Sequence, residues 1–100
     1  MADADEEKEP AVVDITSLDT YALIAMFIGI LAEQAWRHMG LRMDPKTQEA
    51  KRDFERASVA IDCVEYMTGK LERAIPPEEA KRLKALVADL QINFARERST

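Results

Sequence analysis

The chain has 100 residues, a net charge of −5 and one cysteine. That bounds it to a single domain and excludes an intramolecular disulfide. Five acids (Asp3, Asp5, Glu6, Glu7, Glu9) against Lys8 place four of the five net charges in the first ten residues. The rest is nearly neutral and shows no basic face of the kind that tracks phosphates, so no nucleic acid partner is expected.

Residues 1–16 combine low hydrophobicity, dense charge and Pro10, and predict a disordered acidic tail. Its acidity does not read as a signal or transit peptide. The lone Cys63 fits a reducing compartment, so a cytoplasmic location is expected.

The first helix is predicted to start at Ser17 or Asp19, both competent N-caps, and to end at Gly40, a natural residue just past a helix end. From Tyr21 to Ala32 it carries no charge and no proline. Its apolar residues fall on two sides. Leu23, Met26, Phe27 and Ile30 form one stripe, while Ile24, Ile28, Leu31 and Ala35 form another. A surface helix of a monomer needs one stripe, and two imply two partners. Leu23, Met26, Phe27 and Ile30 are therefore the expected oligomer interface. Asp19 before the run, and Glu33, Gln34, Arg37 and His38 after it, leave it short of the roughly 20 apolar residues that a transmembrane helix needs.

Leu41 to Arg52 contains Asp44-Pro45 and little periodicity, which predicts a loop. Asp53 can cap a second helix, whose stripe runs Phe54, Ala57, Ile61, Val64, Thr68, Leu71. That rhythm passes through Gly69, so the helix is predicted to continue to about Glu72 despite a cost of about 1 kcal/mol for a helical glycine. Pro76-Pro77-Glu78-Glu79 opens a third helix, with proline in the first turn and carboxylates at the positive end of the dipole. Its stripe is Ala80, Leu83, Val87, Leu90 and Phe94, with Leu86 beside it. No strand-like alternation occurs. The expected fold is all-α, a three-helix up-down bundle over residues 17–98.

Three short motifs carry a family resemblance. They are Leu31-Ala-Glu-Gln-Ala-Trp-Arg-His-Met-Gly40; Pro45-Lys46-Thr47 with Asp53-Phe-Glu-Arg-Ala57 and Ile61-Asp62; and Pro77-Glu78-Glu79. Their order and spacing resemble those of a bacterial family known as domain of unknown function 1844. Gln48 stands where that pattern usually has Gly, and Ala74 and Pro76 stand where it usually has Asn and a helix-capping Thr. The resemblance implies an all-helical bacterial domain and transfers no activity and no site.

Residues with chemical potential have structural readings too. His38, the only histidine, suits the negative end of the first helix. One His and one Cys make a poor zinc set, so no metal and no cofactor are expected. Cys63 reads as a small apolar filler on a helix. Asp62, beside core residue Ile61, is expected to pair with Arg37, Arg42 or His38 rather than to catalyse. Trp36 suits either core packing or an interface hot spot. The basic run Lys81, Arg82, Lys84 reads as a solvated face among Glu78, Glu79 and Asp89.

No catalytic constellation can be assembled, and an enzyme is not expected. The function expected is a self-associating protein-interaction module, its partner a second copy or another protein. Two alternatives are a helical protein on a membrane surface and a small enzyme or ligand binder with a site at the subunit interface.

Overall fold

Three helices in up-down-up order form an all-α bundle in the computed structural model, which describes residues 14–100. They are α1 (Thr20–His38), α2 (Phe54–Leu71) and α3 (Pro77–Arg98). The acidic tail expected over residues 1–16 lies, for its first thirteen residues, outside those described. The next three belong to a short turn. Asp14 caps a single 3₁₀ turn, Ile15–Ser17, by accepting from the Thr16 backbone N–H at 3.0 Å.

Each helix begins and ends for a local reason. Asp19 is the N-cap of α1 and accepts from the Tyr21 N–H at 2.9 Å. At the other end Gly40 takes φ +84°, the left-handed conformation that glycine adopts without a Cβ penalty. Leu41 N–H then reaches the Trp36 carbonyl and Gly40 N–H reaches that of Arg37, so two end carbonyls are satisfied. Asp53 caps α2, its Oδ1 accepting from Arg56 N–H at 3.0 Å. Helix α2 does run through Gly69 to Leu71, and a 3₁₀ turn, Glu72–Ala74, finishes it. Pro77 opens α3, but Pro76 at its N-cap offers no side-chain hydrogen bond.

The core centres on α2. From α1 it takes Ile28, Ala32 and Ala35, with Met39 at its C-cap; from α2, Ala57, Ala60, Ile61, Val64 and Leu71; from α3, Val87 and Leu90. Both α1 and α3 pack on α2 and barely touch each other, so the bundle is open along one side. Thr68 is the buried polar exception among the described residues, and its hydroxyl has no hydrogen-bond partner. The inward stripe of α1 is as expected: Ile28 and Ala35 are buried, and Ile24 and Leu31 pack partly buried against the core. The covering comes almost wholly from α2.

Two substitutions test this account. Gly69 has ordinary helical backbone, and a Cβ added there meets nothing within 4 Å. Gly69→Ala is therefore expected to raise stability by up to about 1 kcal/mol in denaturant unfolding. A loss of similar size would mean that the helix ends at this glycine. Gln48 has φ 62° in the α1–α2 loop, a conformation costing a side-chain-bearing residue roughly 1–2 kcal/mol. Gln48→Gly should stabilise by about 0.5 kcal/mol after the added freedom of the unfolded chain is subtracted. Destabilisation would show that the 3.3 Å bond from Gln48 Nε2 to the Pro45 carbonyl holds the turn.

Candidate functional site

Two places collect the residues singled out above: the corner between α1 and α2, and the outer face of that helix pair.

At the corner the first two sequence motifs meet. Asp53 N–H donates to the His38 carbonyl at 2.7 Å, and Met39 and Arg52 form an isolated antiparallel bridge. Arg52 crosses this junction, its Nη2 2.9 Å from Glu97 near the end of α3. The same guanidinium lies 5.7 Å from the Phe54 ring centroid, and Phe54 meets Phe94 edge-on at 5.8 Å. The corner thus ties all three helices together. A Cβ on Gly40 would come within 2.9 Å of Arg52 Cγ, a second reason for glycine there.

A cleft of about 340 Å³ opens beside this junction, lined by Arg37, His38, Arg42, Thr47, Lys51 and Asp53 among others. Its charges are largely committed to one another. Arg42 lies 3.3 Å from Glu33, Lys51 lies 3.6 Å from Glu49, and Asp53 lies 2.6 Å from Arg56. His38 shares a 3.0 Å hydrogen bond with Gln34 one turn back. Arg42 also stacks over Trp36, 5.8 Å from its centroid, and Trp36 packs partly buried on the core. Among the described residues no three His, Cys, Asp or Glu side chains gather closely enough to hold a metal ion. These contacts fix the helix ends.

Asp62 and Cys63 differ from expectation. Asp62 is exposed and enters none of the ion pairs among the described residues. Cys63 is exposed rather than a buried filler.

The outer face is where α1's second stripe lies. Opposite buried Ile28, Phe27 and Ile30 are 41% and 52% exposed, and Leu23 and Met26 are half-buried. Phe27 and Ile30 are the two of this stripe that stand exposed among the described residues. A shallow groove of about 370 Å³ runs along the same side, with Leu31, Gln34 and His38 of α1 facing Val59, Ala60 and Cys63 of α2. Phe27 lies one turn before Leu31, and Tyr66 one turn after Cys63, so both extend the walls of this groove. Val59 and Tyr66 are 58% and 66% exposed. The sequence reading gave α2 a single stripe and missed this second row, although Val59, Cys63 and Tyr66 stand at helical spacing i, i+4, i+7. Their alternation with Glu55, Asp62 and Glu65 hid them.

The family model described as domain of unknown function (DUF1844) matches residues 21–96. No curated protein and no solved structure matches the chain. No helix among the described residues is long and apolar enough to cross a membrane.

The corner's electrostatics generate a pH prediction. The Asp53 carboxyl is held below its ordinary value of 3.8, chiefly by the Arg56 backbone N–H and then by the Arg56 side chain. A lowered pKa in the fold means that the ionised form stabilises it. That contribution is complete above the ordinary carboxylate range and disappears as pH falls through the lowered value. The stability difference between wild type and Asp53→Asn should therefore be larger at pH 6 than at pH 3 in thermal unfolding. A difference independent of pH would assign the role to the cap geometry alone.

Proposed function

The chain belongs to the domain of unknown function 1844 family, and on the geometry above we propose that it is a self-associating helical module whose interface is the outer face of α1. The observation that carries this is the exposure of Phe27 and Ile30, with Leu23 and Met26 beside them, on the side of α1 opposite its core stripe. Fully burying a side chain of this kind contributes roughly 1.5–3 kcal/mol. Phe27 and Ile30, about half exposed, together leave about 1.5–3 kcal/mol per subunit for an assembly to recover. The α2 row Val59, Cys63, Tyr66 widens the same surface toward the extent that stable interfaces need.

A lipid surface fits this face less well. The charges that bracket the stripe are Asp19, Glu33 and Arg37, and anionic headgroups would meet two acids for one base. Exposed Cys63 suits a reducing interior, so we assign the assembly to the cytoplasm of a bacterium.

Phe27→Glu is expected to convert the wild-type oligomer to a folded monomer, read by multi-angle light scattering at micromolar concentration with circular dichroism as the folding control. A wild type that is monomeric and does not sediment with anionic vesicles would overturn the proposal. A monomer that does sediment would replace it with the membrane-surface reading.

A further inference from the structure

The outer face of α1 carries a repeat of regular spacing. Asp19, Leu23, Met26, Ile30, Glu33 and Arg37 follow one another at steps of four, three, four, three and four. That is the heptad spacing of a coiled-coil seam, apolar in its middle and charged at its ends. Asp19 and Arg37 both sit directly opposite buried Ile28 on the helix, at nine residues before and after it. The Arg37 side chain is 39% exposed and its Nε, 4.0 Å from Glu33, is buried without a hydrogen-bond partner, which leaves the rest of the guanidinium to face outward. Asp19 uses one carboxylate oxygen for the Tyr21 N–H and leaves the other toward solvent.

Resting on the self-association reading, we infer that α1 pairs antiparallel with α1 of a second copy about a two-fold axis near Ile28. In this register Met26 faces the partner subunit's Ile30 and Asp19 faces the partner subunit's Arg37. A parallel pair would set Asp19 against Asp19 and Arg37 against Arg37, placing like charges together at both ends. An antiparallel pair shifted by one heptad one way puts Asp19 against Ile30, and shifted the other way puts Met26 against Arg37. Only the central register sets acid against base at both ends with Met26 against Ile30 between them; the first shifted register also joins apolar residues, Leu23 to Met26, but leaves Arg37 with no opposing residue on α1. The remaining layer of the central register sets Leu23 against Glu33, whose carboxylate is already engaged by Arg42 at 3.3 Å. Phe27 flanks the seam on the side of the α2 groove.

Disulfide trapping tests the register in a Cys63→Ser background. Leu23→Cys and Glu33→Cys proteins are prepared separately, then mixed and oxidised. In the antiparallel pair these two positions face each other, whereas copies of either one lie about 15 Å apart along the axis. The mixture should give the heterodisulfide, and neither protein alone should cross-link. As a second variant, Arg37→Asp should weaken the dimer on the order of tenfold, and adding Asp19→Arg should restore it. If wild type is monomeric by light scattering, the self-association reading fails and this pairing with it. If wild type is dimeric but cross-links form only between like positions, or not at all, the pairing alone is overturned.

Discussion

Packing of α1 on α2 through small side chains is the constraint on which the rest of the molecule depends. Ala32 and Ala35 from one helix, with Ala57 and Ala60 from the other, are all buried in the common core. Alanines allow two helix axes to approach closely, at the lower end of the usual 8–10 Å range. The bulky residues of α1 are then disposed around that contact rather than in it. Ile28 and Met39 anchor the inside, while Met26, Phe27 and Ile30 are left on the other side of the same helix. A larger core residue in place of Ala35 or Ala57, both wholly buried, would push the helices apart and carry the corner with them.

The corner between α1 and α2 is built from ordinary residues under specific demands. His38, Gly40, Arg52 and Asp53 are far from unusual as residue types, yet each meets a geometric demand there. They are a carbonyl that takes the Asp53 N–H, a left-handed turn, an ion pair to α3 and a helix cap. Charge in this region holds the frame together, and the face with unmet demand is apolar and lies elsewhere.

Much of this was legible in the sequence because it is local. Helix periods, the Asp19 and Asp53 caps, Gly40 beyond the end of α1 and Pro77 in the first turn of α3 depend on neighbours within four residues. The two faces of α1 were legible for the same reason. What escaped depends on which helices touch. α3 stays at the far side of α2 and leaves the covering of α1 to α2, and no periodicity encodes that choice. Asp62 was assigned an ion pair by its nearness in sequence to core residue Ile61. One step along a helix turns a side chain by about 100°, enough to carry it from the core to solvent. A second step carries Cys63 to solvent as well.

The connection between α1 and α2 is closed twice. The Met39–Arg52 bridge shuts it at the base, and Asp44 N–H donates to the Glu49 carbonyl at 2.9 Å nearer the tip. The tip beyond that inner closure hangs from a frame that does not need it, with every residue from Leu41 to Arg52 exposed. The entropy of bringing such ends together rises only slowly with length, by about 0.6 kcal/mol for each doubling. The segment between Asp44 and Glu49 is therefore a natural insertion point. A peptide epitope or a reporter grafted there would leave both the clasp of the three helices and the outer face of α1 untouched.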